Sequence, residues 1–452
     1  MELEQSSLYR EITSVINGTG VISRYTWNAE VHIPSGTSYP VIKVLSVDFV
    51  EDFENNFTGE IILSVVIPGG VYAKQIYPNQ AHLDITLYKI PLLADSDLID
   101  TSNALNAERF TATLLPDKGN PIIEGNSNNM ASEDVLNLTE LTTVNFQLMD
   151  KALEQMRVVS VGGTYRKTTG EKVIQSVLTN ASANVKADGI RMPKGVTMVP
   201  ASNQEERDHV IIPQGLTLTD LPNYVQERCG GVYSAGLGYH YKDSQWYVYP
   251  CYDTTRFNNT DRTMTVINVP KNKFPNIERT YKENGNNFTI LATGSVSIKD
   301  FSEVDQLNKG NGVRFSNANN FMGGFATVKD NKAFVSRGKN NTEIVSEQRP
   351  NGNNFVRLGN SPITANPYAE YSRMAKGLGA ILSFEWQNSN PSLVYPGMLI
   401  KLLYLDKDDI KQLEGVLLKA HHFVQLRGKG LLQTQYNTQS VLYVFTTRPR
   451  DL

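Results

Sequence analysis

The sequence predicts a mainly β chain with minor α, an α+β multidomain protein. Three observations predict it. Strand-like runs of β-branched and aromatic residues crowd both ends of the chain, helix signals are few and fall in the middle, and 452 residues are too many for one hydrophobic core. At roughly 100–200 residues per domain, the length suggests three or four units.

The first unit is read as residues 1–150. VIKVLSVDFV (41–50), Glu60 to Ile67 and His82 to Ile90 follow one another at similar spacing, separated by Pro-Gly-Gly and Tyr-Pro-Asn turns. Such spacing predicts a small sandwich or barrel. VNFQL (144–148) adds a strand. Residues 94–134 include a stretch rich in Gly, Asn and Pro and are read as a long loop insertion. Asp48, Glu51, Asp52 and Glu54 read as a charged strand end facing solvent.

Residues 151–265 are read as a mixed α/β unit. Asp150 stands where an N-cap belongs, before KALEQMR. Thr168 and Glu171 have capping-box spacing ahead of the apolar face Val173, Ile174, Val177 and Leu178. A third helix starts near Thr219 or Asp220, takes Pro222 in its first turn and ends at Gly230. GVYSAGLGYHY then turns through Lys242-Asp243-Ser244-Gln245 into WYVYP. Tyr233, Tyr239, Tyr241, Trp246 and Tyr249 make this hairpin the candidate surface for contact with another protein, although strand alternation also places half of its rings in a small core.

Residues 266–360 repeat Asn and Gly (ENGNN, NKGNG, NANN, GKNN, NGNN), which predicts short strands joined by polar loops. Residues 361–452 carry the cleanest β pattern. MLIKLLYL leads to a long strand from Glu414 to Gln425 with a kink at Gly415, and Leu431–Tyr436 and Ser440–Thr446 complete a meander. This is read as a second barrel-type unit, with boundaries that allow discontinuous domains.

The chemistry of the chain points away from catalysis. The net charge is −3 with no basic stripe, so nucleic acid should slide past rather than bind. Cys229 and Cys251 are read as reduced, buried thiols. The start has no basic-then-apolar signal pattern and no apolar run approaches the roughly 20 residues of a membrane span, so folding in a cytoplasm is expected. Ser234 fails the nucleophile-elbow pattern because Val232 precedes it by two. Gly236-Leu237-Gly238 does not extend to a dinucleotide fingerprint, and there is no phosphate loop. His421 and His422 are adjacent and would point to opposite faces of a strand, one packed and one solvated, so they cannot grip one ion together. No catalytic, cofactor or metal site is expected.

PGMLIKLLYL and LEGVLLKAHHFVQLRGKGLLQTQYNTQSVLYVF resemble the barrel of phage tail hub proteins, with Pro396, Gly397, Gly415, His422, Gly428, Gly430 and Thr434 at the matching positions. Residues 221–257 and 144–178 are similar to stretches of virion proteins from contractile-tailed phages. The resemblance covers about a third of the chain and lies in order and texture rather than in a catalytic signature. It implies two tail-hub barrels per chain, one at each end, with smaller mixed domains between them. It implies a homotrimeric baseplate hub whose pseudo-sixfold ring connects the tail tube to the central spike, beside baseplate wedge proteins, with DNA passing through. The expected location is the virion, after assembly in the bacterial host cytoplasm. Rivals are a wedge or tube-initiator subunit, a tail-associated cell-wall hydrolase and a receptor-binding adhesin.

Overall fold

The computed structural model describes residues 7–18, 25–54, 57–91, 106–115, 140–186, 192–259, 262–271, 278–300, 334–338, 341–345, 368, 371–372, 375–376, 379–406, 409–428 and 434–447. The fold is mainly β with minor α. After a helix at Ser7–Ile16, seven strands follow: β1 Tyr25–His32, β2 Ser38–Pro40, β3 Lys43–Asp52, β4 Gly59–Pro68, β5 Leu83–Pro91, β6 Asn106–Leu114 and β7 Leu141–Asp150. Their order in the sheet is β3-β4-β7-β6-β5-β1-β2. The alternating sets Leu63/Val65/Ile67, Leu83/Ile85/Leu87, Phe110/Ala112/Leu114 and Val144/Phe146/Leu148 point into one core. The sheet wraps around that core, and its ends meet. β2 pairs with β1, Val41 N–H donates to Ala29 O at 3.0 Å, and Ile42 N–H donates to Val66 O at 2.9 Å as the same run continues into β3. Tyr436 Oη spans the remaining seam, donating to Val44 O at 2.7 Å.

β6 lies inside the stretch expected to be a long loop, so that reading is corrected over 106–114. Its alternation was present in the sequence, but Gly and Asn residues nearby masked it. The rest of 94–134 lies outside the described residues, apart from Leu115.

The middle of the chain holds β8 Ser160–Thr168, β9 Gly195–Met198, β10 Arg207–Thr217, β11 Leu237–Lys242 and β12 Gln245–Pro250, with helices at Lys151–Arg157, Gly170–Ala183 and Leu221–Arg228. Asp150 caps the first helix, accepting from Leu153 N–H at 3.0 Å. The second cap is Thr169 rather than Thr168, accepting from Lys172 N–H at 3.4 Å. Glu171 therefore does not reach back to its own helix; it accepts from Ala201 N–H at 3.3 Å. The third helix is capped at Cys229 and followed by Gly230, whose φ of +93° is left-handed. The β11–β12 hairpin turns through Asp243 and Ser244 at φ of +50° and +65°, the conformation of a type I′ turn.

The last strands are β13 Thr263–Asn268, β14 Tyr281–Asn284, β15 Asn287–Asp300, β16 Phe334–Gly338, β17 Asn341–Val345, β18 Gly379–Gln387, β19 Leu399–Asp406, β20 Asp409–Leu426 and β21 Tyr436–Thr447. β16 and β17 form a hairpin by themselves. The order β19-β13-β15-β18-β21-β20 returns to β19, which closes a six-stranded barrel. Strands from 263–300 and from 379–447 share this sheet, so the expected boundary at 360 runs through it. Met264, Phe288, Ile290, Phe384, Trp386 and Ile400 fill its core. The helix Ser7–Ile16 packs on its outside, with Leu8 and Val15 against Ile267 and Leu291.

The two barrels repeat one permutation. With the short β2 and β14 left out and the remaining six strands of each barrel labelled by chain order, the first strand neighbours the fourth, the second neighbours the third, the third neighbours the sixth, the sixth the fifth and the fifth the fourth, in both. Only the first strand differs in direction. β1 runs antiparallel to β5, whereas β13 runs parallel to β19.

β20 belongs to both barrels. Its first half pairs with β19; its second half, Lys419 to Gln425, pairs with β3. The change of partner comes at a bulge between Leu417 and Lys419, which corrects the expected kink at Gly415. A bulge re-aims a strand, and the carbonyl of Leu418 there accepts from Phe53 N–H of the first barrel at 2.8 Å. Gly415 serves close approach instead. A Cβ at that position would stand 2.6 Å from both Phe445 O and Val444 Cγ1. Gly415→Val should therefore lower unfolding stability by about 2–4 kcal/mol, read as an earlier urea midpoint; an unchanged midpoint would contradict this packing.

A candidate functional site at the junction of three units

The tip between β3 and β4 enters the rest of the molecule. Phe53 is fully buried, not in its own barrel but among the residues of the second one. Its ring meets His240 of β11 edge-on, with centroids 4.9 Å apart. Tyr249 Oη donates to Phe53 O at 2.7 Å, and Tyr241 N–H donates to Phe57 O at 2.8 Å. Phe57 packs against the middle unit's core, below the guanidinium of Arg157. Backbone and rings thus tie the first barrel to both neighbours at one short segment.

Charge reinforces this tip. Lys242 Nζ lies 2.8 Å from Glu51 Oε2, and both side chains are largely buried. His422 Nε2 stands 3.4 Å from the same oxygen, an ion-pair distance rather than an aligned hydrogen bond. Glu54 accepts from Tyr252 Oη at 2.5 Å and pairs with Lys376. Asp48 meets His421 Nε2 at 2.5 Å. The acidic stretch read as a solvated strand end is corrected: three of its four carboxylates hold partners from other units. Burial by itself would raise the Glu51 carboxyl; Lys242, the contact with His422 and the nearby His240 outweigh it and hold Glu51 well below the usual carboxylate range. Burial pushes His422 below the ordinary histidine value, and Glu51 offsets this only in part.

His422 Nδ1 lies 2.6 Å from Ser440 Oγ, which lies 2.5 Å from Ser389 Oγ. Ser, His and Glu in this order resemble a hydrolase relay. Ser440, however, is 0% exposed and its oxygen is shared between two neighbours. In this position Glu51, His422 and Ser440 brace β3, β20 and β21 against one another. Cys229 and Cys251 are free and buried. Among the described residues no cluster of His, Cys, Asp and Glu is placed to hold a metal ion, and no helix is long and apolar enough to cross a membrane.

The five aromatic residues singled out from the sequence do not form one surface. Tyr233, Tyr241, Trp246 and Tyr249 are buried within the chain; Tyr239 is half-buried and donates to Thr219 O at 2.6 Å. Period-2 alternation on β12 sends Trp246 and Val248 to the middle core. The accessible face of the hairpin carries Tyr247, stacked on Tyr395 with centroids 6.3 Å apart. These two tyrosines, with Arg256 and Arg262, line a groove of about 730 Å³ between the middle unit and the second barrel. The sequence reading missed Tyr247 and Tyr395 as a pair because they lie far apart along the chain.

Acid should loosen this junction. The folded state disfavours protonation of His422 relative to the unfolded chain, so its contribution is present above about pH 6.5 and is lost as pH falls below it. The Glu51 contribution is present above about pH 4.5 and is lost on further acidification. His422→Asn should flatten the fall in melting temperature between pH 7 and 5. Glu51→Gln, which leaves Lys242 buried without its counter-charge, should cost about 3 kcal/mol at pH 7. Thermal melts across pH check both; parallel wild-type and variant profiles would contradict the assignment.

No family model matches the chain, and no curated protein matches it. Solved structures do. The chain is similar to a tail protein from Neisseria meningitidis MC58 at 12% identity and a TM-score of 0.41, over 93% of this chain and 96% of that one. It is similar to the 43 kDa tail protein of prophage MuSo2 from Shewanella oneidensis at 8% identity and a TM-score of 0.38, over 92% and 96%. It is also similar to an E. coli protein described as a component of the type VI secretion system with structural similarity to T4 bacteriophage tail proteins gp27 and gp5, at 10% identity and a TM-score of 0.40, over 93% and 77%. The structures to which the chain is similar are thus tail and secretion-system proteins.

Proposed function

We propose that this chain is a non-enzymatic structural hub subunit of a phage tail baseplate. Copies of it assemble into a ring that connects a tail tube to a central spike and lets DNA through. The observation that carries this reading is the repeated strand permutation. One chain presents two barrels of the same order side by side, held in fixed relation by the shared strand β20. Wedges of like shape placed in tandem close around an axis through heterologous contacts. Two barrels from each of three chains fill six positions, which suits a junction between sixfold and threefold partners. The sequence resemblance to tail hubs supplies the setting, and the net charge of −3 suits a lumen that guides nucleic acid without gripping it.

A tube-initiator subunit would use the same barrels as a hexamer. The tail-associated hydrolase reading is weakened by the burial of Ser440. An adhesin reading would rest on the groove between Tyr247 and Tyr395. Particle mass and negative-stain class averages of the purified full chain, alone and with tail tube and spike proteins, decide among these. The expected particle is a trimer with six lobes around a channel. A hexamer would favour the initiator, and a chain that stays monomeric with its partners present would overturn the ring.

A further inference from the structure

Pro396-Gly397, the pair that precedes β19, does more than turn the chain. Gly397 has a left-handed φ of +68°, and a Cβ there would stand 2.4 Å from the ring of Tyr249. Glycine alone lets the backbone settle so close to that ring in this conformation. The Gly397 carbonyl then accepts from Arg256 Nη2 at 3.0 Å, while Arg256 Nε donates to Asp253 O at a long 3.5 Å. The turn thus fixes a guanidinium in the wall of the groove between the middle unit and the second barrel.

Both of those bonds go to neutral carbonyls. The carboxylate of Asp253, also in the groove wall, is engaged elsewhere: its Oδ1 accepts from Thr255 N–H at 2.9 Å and from Thr255 Oγ1 at 2.6 Å. Burial pulls Arg256 below the ordinary guanidinium value, and Asp253 offsets this only in part. Arg262 stands in the same groove, with its backbone carbonyl held by Tyr395 Oη. Its guanidinium lies over the Phe288 ring at 5.6 Å and 4.0 Å from Glu283, the outer limit of an ion pair and a weak, exposed one. Among the described residues that line the groove, Arg256 and Arg262 are the cations and Asp253 is the one anion. A chain of net charge −3 therefore carries a locally positive groove.

The remaining lining is largely apolar and aromatic, with Met198, Val199, Pro250 and Leu399 beside the stacked Tyr247 and Tyr395. A saccharide would need a dense row of side-chain donors and acceptors for its hydroxyls. A peptide needs apolar walls for its side chains, with Tyr and Arg as anchors. A guanidinium fork matches a carboxylate in two parallel bonds. We propose that this groove is the docking site for an acidic peptide, an extended segment of another protein that brings Asp or Glu carboxylates onto Arg256 and Arg262 and lays apolar side chains against Tyr247 and Tyr395. The groove is built within one chain, so it does not depend on copies closing into a ring.

The probe is a random dodecapeptide library, selected on the immobilised full chain. Selection should enrich sequences that carry Asp or Glu beside apolar residues. The best of them, synthesised with a fluorophore, should bind the Arg262→Gln chain about tenfold more weakly than the parent, and its Gln- or Asn-substituted form should lose as much on the parent. Arg256→Gln should abolish binding. Melting temperatures check that each variant folds; if Arg256→Gln does not, Arg262→Gln, whose side chain is 38% exposed, decides by itself. A library without an acidic consensus, or a peptide that binds Arg262→Gln and the parent equally, would overturn the site. Soluble polygalacturonate that binds the parent where the library yields nothing would overturn it in favour of an acidic saccharide. A chain that stays monomeric with its tail partners yet selects the acidic peptide would overturn the ring and leave the groove standing.

Discussion

One strand belongs to two barrels, and the architecture depends on it. β20 begins as the fifth strand of the closed C-terminal barrel, changes direction at Leu418 and finishes as the edge partner of β3. A ladder of backbone hydrogen bonds resists bending far more than a flexible linker does. The barrels therefore keep a fixed relation that no inter-domain loop would enforce. The chain enforces it twice more. The helix at residues 7–16 reaches forward to pack on the second barrel, and Tyr436 reaches back to seal the seam of the first.

The β3–β4 tip adds the third unit to this pair. Its apolar members, Phe53 and Phe57, enter two different cores, while its acidic members take cations from elements far away along the chain. Glu51 is where the cost of burying charge is greatest, and there the compensation is most complete: Lys242 from the middle hairpin and His422 from the shared strand approach one oxygen. Such contacts lock the geometry of the junction. The serine beside His422 has the partners of a nucleophile and none of the access.

How much of this was legible beforehand follows from how local each feature is. Strand alternation on β3, β4, β5 and β7, the Asp150 cap and the β11–β12 turn are written in neighbouring residues, and the sequence reading found them. β6 was hidden because its nine residues stand beside Gly- and Asn-rich runs. Gly415 suggested a kink, yet its missing side chain serves the approach of β21, and the bulge falls among leucines that look alike in sequence. The junction was not legible at all. Asp48 and His421 are separated by 373 positions, and Glu51 and Lys242 by 191, so an acidic run reads as a solvated face until the fold supplies its partners. The aromatic hairpin misled for the opposite reason. Its density of rings suggested a surface, but four of the five chosen rings are buried within the chain.

The central claim is that β20 fuses the two barrels into one body. Native-state hydrogen exchange resolved to single amides tests it most directly. Along the pairing of 46–52 with 419–425, protection should match that of the barrel cores and should be lost with them in one opening. Rapid exchange along that ladder, while the cores stay protected, would show two barrels moving independently and would contradict the account.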